Sequence, residues 1–580
     1  TSIGRRPTIM AQLEHIPTEL RDKIADQLSP IDLLMLSRSN RRLRDQLSPA
    51  LQQRAQRAAR VQFIWDRLTQ PGDASQLAAL VNPGVIESIA RNFDCLTEVQ
   101  QEYLVLYAEG LVDDDRALVL GALGTGVAEL APAIQQRLIA LIEGLDARRR
   151  ASALQALGAS IAGLAPELQQ RLVALIEGLD NPEHRASAIE GFGAGVAGLA
   201  PELQQRLVAL IEGLDNPEHR ASAIEGFGAG VAGLSPELQQ RLIVLVEGLD
   251  NPELHGMALS LLGAKLADLS PELQQRLVAL VEGLDPYLGY EALEAIGVAV
   301  AALAPELQER FIVLVEGPEN PNLRVAALGY LQPSIAGLTP KLQQRLVVVA
   351  EGLDDPILRR DAVEYLGAGV ASLAPELQQR LIFLAEGLTS PEDRASALWG
   401  FGAGVAGLAF ELQQRLIVLA EGFISPEDRA LALSGFGAGV AGLAFELQQR
   451  LIVLAEGLDD PAGRALALSG FGARVAGLAP ELQHRLIVLV EGLDDPELRG
   501  EALEALGAGI AGLAPEFQQR LIVLVEGLED PELRARAIRT LGTGAVGLAP
   551  ELQHRLVILA NGLVEPDDRA RALAALLPRR

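Results

Sequence analysis

The chain has 580 residues, of which 49 are Lys or Arg and 76 are Asp or Glu, giving a net charge of −27 at pH 7. A surface this acidic repels phosphate backbones, which sets nucleic acid aside as the main partner and favours basic or neutral protein surfaces. The single cysteine, Cys95, excludes an intramolecular disulfide framework, and the lack of any long uninterrupted apolar run or apolar leader reads as a soluble, intracellular protein without a membrane partner.

Residues 1–45 differ in kind from the rest. They carry Ile16-Pro17-Thr18-Glu19-Leu20, then Ile24, Leu28, Asp32-Leu33-Leu34, Leu36 and Asn40-Arg41-Arg42-Leu43-Arg44. The spacing predicts three short helices, the middle one starting near Pro30 to Asp32, with more apolar face than so short a segment can bury by itself. In order and spacing these residues resemble the F-box. That resemblance implies that Ile16, Pro17, Leu20, Ile24, Leu28, Leu33, Leu36 and Leu43 supply contact with the Skp-type adaptor of a cullin ubiquitin ligase, together with the small core behind it. The pattern departs from the F-box at Ile16, where Leu is usual, at Ser39, where Val is usual, and at Leu43, where Trp is usual.

Residues 46–96 form a helical connector with a faint echo of the repeat in Ser48-Pro49-Ala50-Leu51-Gln52-Gln53-Arg54. The array itself covers 97–580. Pro166, Pro201, Pro236 and Pro271 open near-identical segments 35 residues apart, and the series runs on through Pro305, Pro340, Pro375, Phe410, Phe445, Pro480, Pro515 and Pro550 with one 34-residue step. Self-similarity at this period marks a solenoid. The fold class is therefore all-α, a right-handed alpha-solenoid of about 14 two-helix repeats behind a three-helix head, and the two-helix pattern resembles HEAT-type repeats.

Within the repeat at Pro166, the proline suits a first helical turn and Glu167 the positive end of the dipole. Leu168, Leu172, Leu175, Ile176 and Leu179 share one face of a helix of about four turns, with Gln170, Ala174 and Glu177 opposite. Asn181 is placed to cap a second helix that Pro182 opens and that runs through Ile189, Phe192 and Val196. Gly198 before Leu199 reads as a left-handed C-cap. Gly191, Gly193, Ala194, Gly195 and Ala197 make the second helix costly by roughly 1 kcal/mol per glycine. Close approach of neighbouring second helices offsets that cost, and it predicts that they line the narrow, concave side. Pro333, falling inside a second helix, predicts a kink.

Two arginine series, Arg171/Arg206/Arg241 and Arg185/Arg220/Arg359 with their equivalents, read as scaffold: inter-repeat ion pairs and bonds to helix ends. Recognition is sought where repeats differ. The second-helix positions of Ser187, Glu190 and Gly191 become Met257, Ser260, Glu291, Glu294, Tyr330, Asp361, Glu364, Tyr365, Trp399, Arg536 and Arg539, on one helical face. With Tyr287 and Tyr290 nearby, the candidate target-binding residues are Met257, Tyr287, Tyr290, Tyr330, Asp361, Tyr365 and Trp399, since exposed Tyr, Trp and Arg anchor protein interfaces.

No Cys/His group has metal-ligand spacing and no phosphate loop is present, so the sequence predicts no cofactor and no enzyme; Cys95 reads as a buried structural thiol. An F-box before a repeat array is the layout of a ligase substrate receptor. The regular Ala/Leu/Gly/Arg-rich repeats make it similar to F-box effectors that plant-associated bacteria deliver into host cells. The expectation is a receptor that docks on the Skp-type adaptor and captures an unknown target protein in the solenoid groove, secreted into the host cytoplasm or nucleus. The alternative is a solenoid scaffold or inhibitor with no ligase connection.

Overall fold

Segments 166–199 and 201–234 are identical residue for residue, and the second shows how each repeat folds. Its first helix, Pro201–Glu212, begins behind Ala200 with Pro at the first turn and closes at Gly213, whose N–H donates to Ala209. Leu203, Leu207, Val208 and Ile211 are buried on one side, each contributing about 2 kcal/mol of burial. The loop hands over to the second helix, Pro217–Gly228, through Asn216, whose side chain accepts from Glu218 N at 2.9 Å. That helix buries Ala221, Ala223, Ile224 and Phe227. A short 3-10 turn, Val231–Gly233, then leads through extended Leu234 to the next proline.

The structure, a computed structural model, describes residues 30–31, 33–34, 49–68, 82–284, 290–317, 319–472 and 474–577. Among these the regular elements are helices, and from Glu98 onward they come as first-helix and second-helix pairs. The first pair opens on a capping box between Thr97 and Gln100. The chain is an all-α, HEAT-like solenoid of repeated two-helix units.

It divides into two compact units, residues 1–175 with 557–580, and residues 176–556. In the first unit, helices Pro49–Leu68 and Pro83–Ala90 both pack against the C-terminal helix Pro566–Ala575. The long helix is fastened further along by Arg57, which pairs with Asp94 at 3.0 Å and donates to Asn92 Oδ1 at 3.0 Å. Trp65 meets Tyr103 edge to face, with centroids 6.1 Å apart. Cys95 is fully buried and in no disulfide.

In the second unit the second helices stack backbone against backbone. A methyl group added at Gly226 would lie 2.5 Å from Glu190 Cα, and one at Gly297 2.6 Å from the Tyr330 carbonyl oxygen. Only hydrogen fits there, which is the tertiary gain that offsets the propensity cost of these glycines.

Three expectations need correction. First helices are 12 residues, closer to three turns than four, and Val173 is fully buried while Leu175 is half-buried. Pro333 does not kink a helix: Pro321–Leu331 has already ended, and Pro333 sits at the start of the 3-10 turn Gln332–Gly337, where its missing N–H leaves no helix bond broken. The glycine before each junction leucine is not a left-handed cap. At Gly407 an added Cβ would sit 2.5 Å from Ala371 Cβ of the preceding repeat, so the position is small because two turns touch.

Candidate protein-binding face

Three consecutive second helices carry the divergent residues: Pro321–Leu331, Pro356–Ala368 and Pro391–Phe401. Each is held at its start by a side-chain cap, from Asn320, Asp355 and Ser390 respectively. This fixes the register in which Tyr330, Asp361, Glu364, Tyr365 and Trp399 leave the stack on the same helical face. Trp399 is 45% exposed; Tyr330, Asp361, Glu364 and Tyr365 are half-buried.

A neighbour makes room for one of these side chains. A Cβ at Gly329 would lie 3.2 Å from the ring of Tyr365, so the tyrosine lies over a glycine of the preceding repeat. Gly435 of the following repeat faces the Trp399 backbone, as Gly470 faces that of Ser434, so it serves the helix contact and not the indole. Arg360 holds Asp361 at 2.6 Å and reaches Asp393 at 3.3 Å. Burial, and then the charge of Asp361, pushes the Glu364 carboxyl above its usual range; burial and the same carboxylates push the Tyr365 phenol upward. The patch thus combines aromatic faces with a net negative field, the combination that receives a cationic side chain of another protein.

The structure places Tyr330, Asp361, Tyr365 and Trp399 on three successive second helices that pack side by side. Met257 occupies the register of Asp361 but on an earlier helix, Pro252–Ala264, where it is half-buried. Tyr290 opens helix Tyr290–Gly297, and Tyr287 lies outside the described residues. Of the head positions Ile16, Pro17, Leu20, Ile24, Leu28, Leu33, Leu36 and Leu43, the structure describes only Leu33, which is fully buried in a cluster with Leu51 and Ala55; the other seven lie outside the described residues.

The arginine series are scaffold. Arg206 grips Glu177 of the preceding repeat through Nε and Nη2 at 2.7 and 2.6 Å. The same fork recurs at Arg241 and Glu212, Arg450 and Glu421, and Arg520 and Glu491. These bonds hold the Glu177 and Glu212 carboxyls below the usual carboxylate range. Arg185 and Arg220 donate to the carbonyls of Leu179 and Leu214, closing the end of the first helix.

Sequence reasoning missed the first glutamine of each Gln-Gln-Arg. Gln204, Gln239 and Gln448 are buried, and Gln239 Nε2 donates to the carbonyls of Val231 and Leu234 in the turn before its helix. The signal was available: from Gln135 onward a glutamine recurs at this position in every repeat, directly after an apolar residue.

Among the described residues no group of His, Cys, Asp and Glu is placed to hold a metal ion, and no helix is long and apolar enough to cross a membrane. No family model and no curated protein matches the chain. Among solved structures it is similar to Kap95p in its complex with RanGDP, at 11% identity and a TM-score of 0.40, over 89% of this chain and 87% of that one. It is also similar to the karyopherin Kap121p bound to the extreme C-terminus of the phosphatase Cdc14p, at 12% identity and a TM-score of 0.38, over 84% of this chain and 64% of that one. A third is a full-length AP-3 complex, at 13% identity and a TM-score of 0.32, over 88% and 93%. The chain thus spans less than two thirds of the length of the Kap121p chain in the Cdc14p complex.

The F-box reading of residues 16–44 is corrected by the absence of any family match, and the ubiquitin-ligase and bacterial-effector assignments built on it fall with it. The departures at Ile16, Ser39 and Leu43 already removed distinctive members of the pattern. What remains, apolar residues at helical spacing, is common to amphipathic helices at large.

Proposed function

We propose that this chain is a solenoid scaffold that binds a partner protein through its second-helix side, with Tyr330, Tyr365 and Trp399 as anchors and Asp361 and Glu364 selecting for positive charge. The observation that carries the reading is Trp399, a large aromatic left 45% exposed at a position where neighbouring repeats place Ser434 or Ser469. Neighbouring second helices meet backbone to backbone, which supports reading this side as the narrow, concave one. A concave row of aromatic and acidic side chains suits an extended basic segment of another protein.

The test is selection of peptides on the intact chain from a random library, followed by titration of the selected peptides against Trp399→Ala and Tyr365→Ala. The reading expects Lys- or Arg-containing peptides whose affinity drops about thirtyfold or more on losing Trp399, the loss typical of an interface anchor. Peptides that bind both variants as tightly as the parent would move the recognition surface elsewhere.

A further inference from the structure

First helices expose a second surface that the partner-binding reading does not use. Their ninth residue points away from the core and is Ala in the repeats at Pro166 and Pro201. From Val313 and Val348 through Phe383 to Val523 it is large and apolar in every repeat, between 46% and 69% exposed. The residue type changes between Val and Phe, yet apolarity persists at a solvent-facing position. Packing does not demand it, and Val or Phe in an exposed helix costs several tenths of a kcal/mol against Ala.

The row broadens over three adjacent first helices, Pro375–Glu386, Phe410–Glu421 and Phe445–Glu456. Phe410 and Phe445 stand where other repeats carry Pro, giving up a residue preorganised for the first turn. They are 37% and 51% exposed, and each shares a helical face with the valine eight residues on. Ile424, in the loop after the middle helix, is 97% exposed. Beside Val418 a cleft of ≈ 130 Å³ opens between neighbouring repeats, lined by Ala385, Leu398, Leu419 and Phe423, with Arg394 its charged member. Exposed apolar side chains gathered on adjacent helices and rimmed by charged residues are what a docking surface presents.

Its borders indicate what docks. Glu376, Glu411 and Glu446 form an exposed acidic row at the first turns of the three helices. At the opposite end Glu392 and Glu427 are exposed in the first turns of the following second helices. Burial, and then the charges of Glu392 and Glu427, hold Asp428 above its usual carboxylate range. The Arg–Glu forks between the helices neutralise one another, so both borders stay negative. A second copy of this chain, itself at −27, is repelled from such a surface.

We propose that the patch formed by Phe383, Phe410, Val418, Ile424, Phe445 and Val453 docks a basic amphipathic α-helix of a partner protein. The partner's apolar seam lies across the three first helices, and its flanking Lys and Arg meet the two acidic rows. The periods agree. Residues seven apart on a helix are separated by about 10.5 Å, and packed neighbouring helices lie roughly 8–10 Å apart, so one apolar residue per heptad meets one repeat. This is the helix-in-groove mode of recognition.

The probe is a fluorescein-labelled peptide of about 21 residues, three heptads, with Leu at the seam and Lys on both flanks. It is titrated by fluorescence anisotropy against the full chain. Two comparisons accompany it, a peptide with Glu in place of Lys and the chain carrying Phe383→Ser/Phe410→Ser/Phe445→Ser. The replaced side chains lie outside the core, so the circular dichroism melt of the variant matches the parent. The proposal expects saturable binding of the Lys peptide, weakened at least about tenfold in the triple variant and unchanged by Trp399→Ala, with no binding of the Glu peptide. It is overturned if the Lys peptide does not saturate the parent chain, if the triple variant binds it equally, or if sedimentation shows the parent self-associating and the triple variant monomeric. Because Trp399 lies on the other side of the repeats, failure here leaves the second-helix reading standing, and the converse holds too.

Discussion

Within residues 176–556 the two sides of each repeat obey different rules. Second helices meet backbone to backbone, so at Gly226, Gly297 or Gly435 the partner's main chain decides the residue. First helices stand further apart, joined by arginine–glutamate forks across the gap and leaving their ninth residue in solvent. On the crowded side a large residue survives only where its neighbour yields, as Gly329 does beneath Tyr365. On the open side a large apolar residue meets no such resistance, and its persistence over successive repeats must come from something other than packing.

The largest effect that tests this contrast is expected at Gly435. An added Cβ there lies 2.5 Å from the Trp399 carbonyl oxygen, so Gly435→Val should cost more than about 4 kcal/mol, seen as lost cooperativity in urea unfolding followed by circular dichroism. Its counterpart on the other side, Gly422→Ala, brings its Cβ to 3.3 Å from the Leu419 carbonyl of its own helix and should cost under about 1 kcal/mol. Equal losses would erase the distinction between the sides.

An intermediate effect is expected at the junction. Gln448 Nε2 donates to the Leu443 carbonyl at 2.9 Å in a buried site. Gln448→Ala leaves that carbonyl without its donor, which should cost about 1–3 kcal/mol, read from the urea midpoint at unchanged slope.

The smallest effect belongs to the forks. The Arg450 and Glu421 side chains are each 35% exposed, so Arg450→Ala should cost at most about 1 kcal/mol, less at high salt. Their pH dependence has a defined sign. Arg206 and Arg241 depress the Glu177 and Glu212 carboxyls below the ordinary value of 4.5. The stabilisation is therefore complete above that value and fades as pH falls through the depressed folded range. Thermal melts between pH 5 and pH 2 should show the loss, shallower in Arg206→Ala and Arg241→Ala.

Much of the array was legible because its signals are local. Proline opens a helix, Asn181 caps one, and Arg206 with Glu177 sits at a spacing that a stacked period brings together. The misses share one cause. In sequence the junction glycine reads as a backbone-conformation residue, although what excludes a side chain at Gly407 is Ala371, a full repeat earlier in the chain. Gln239 goes unassigned in the sequence, because it serves carbonyls that only folding buries. Of the candidate site, the residues Tyr330, Asp361, Tyr365 and Trp399 stand out by their departure from the period. That they form one patch, while Met257 stands apart, depended on which helices are neighbours.

The sequence by itself determined the period, the two helices per repeat, their caps and the charge ladder, since each follows from residues within one period or at a fixed multiple of it. Tertiary structure alone decided which glycines are closed to any side chain and which glutamines are buried. Those properties belong to pairs of repeats rather than to any one: the distance from a residue to its neighbour in the next turn of the stack is set by how two helices pack, and a single period does not contain it.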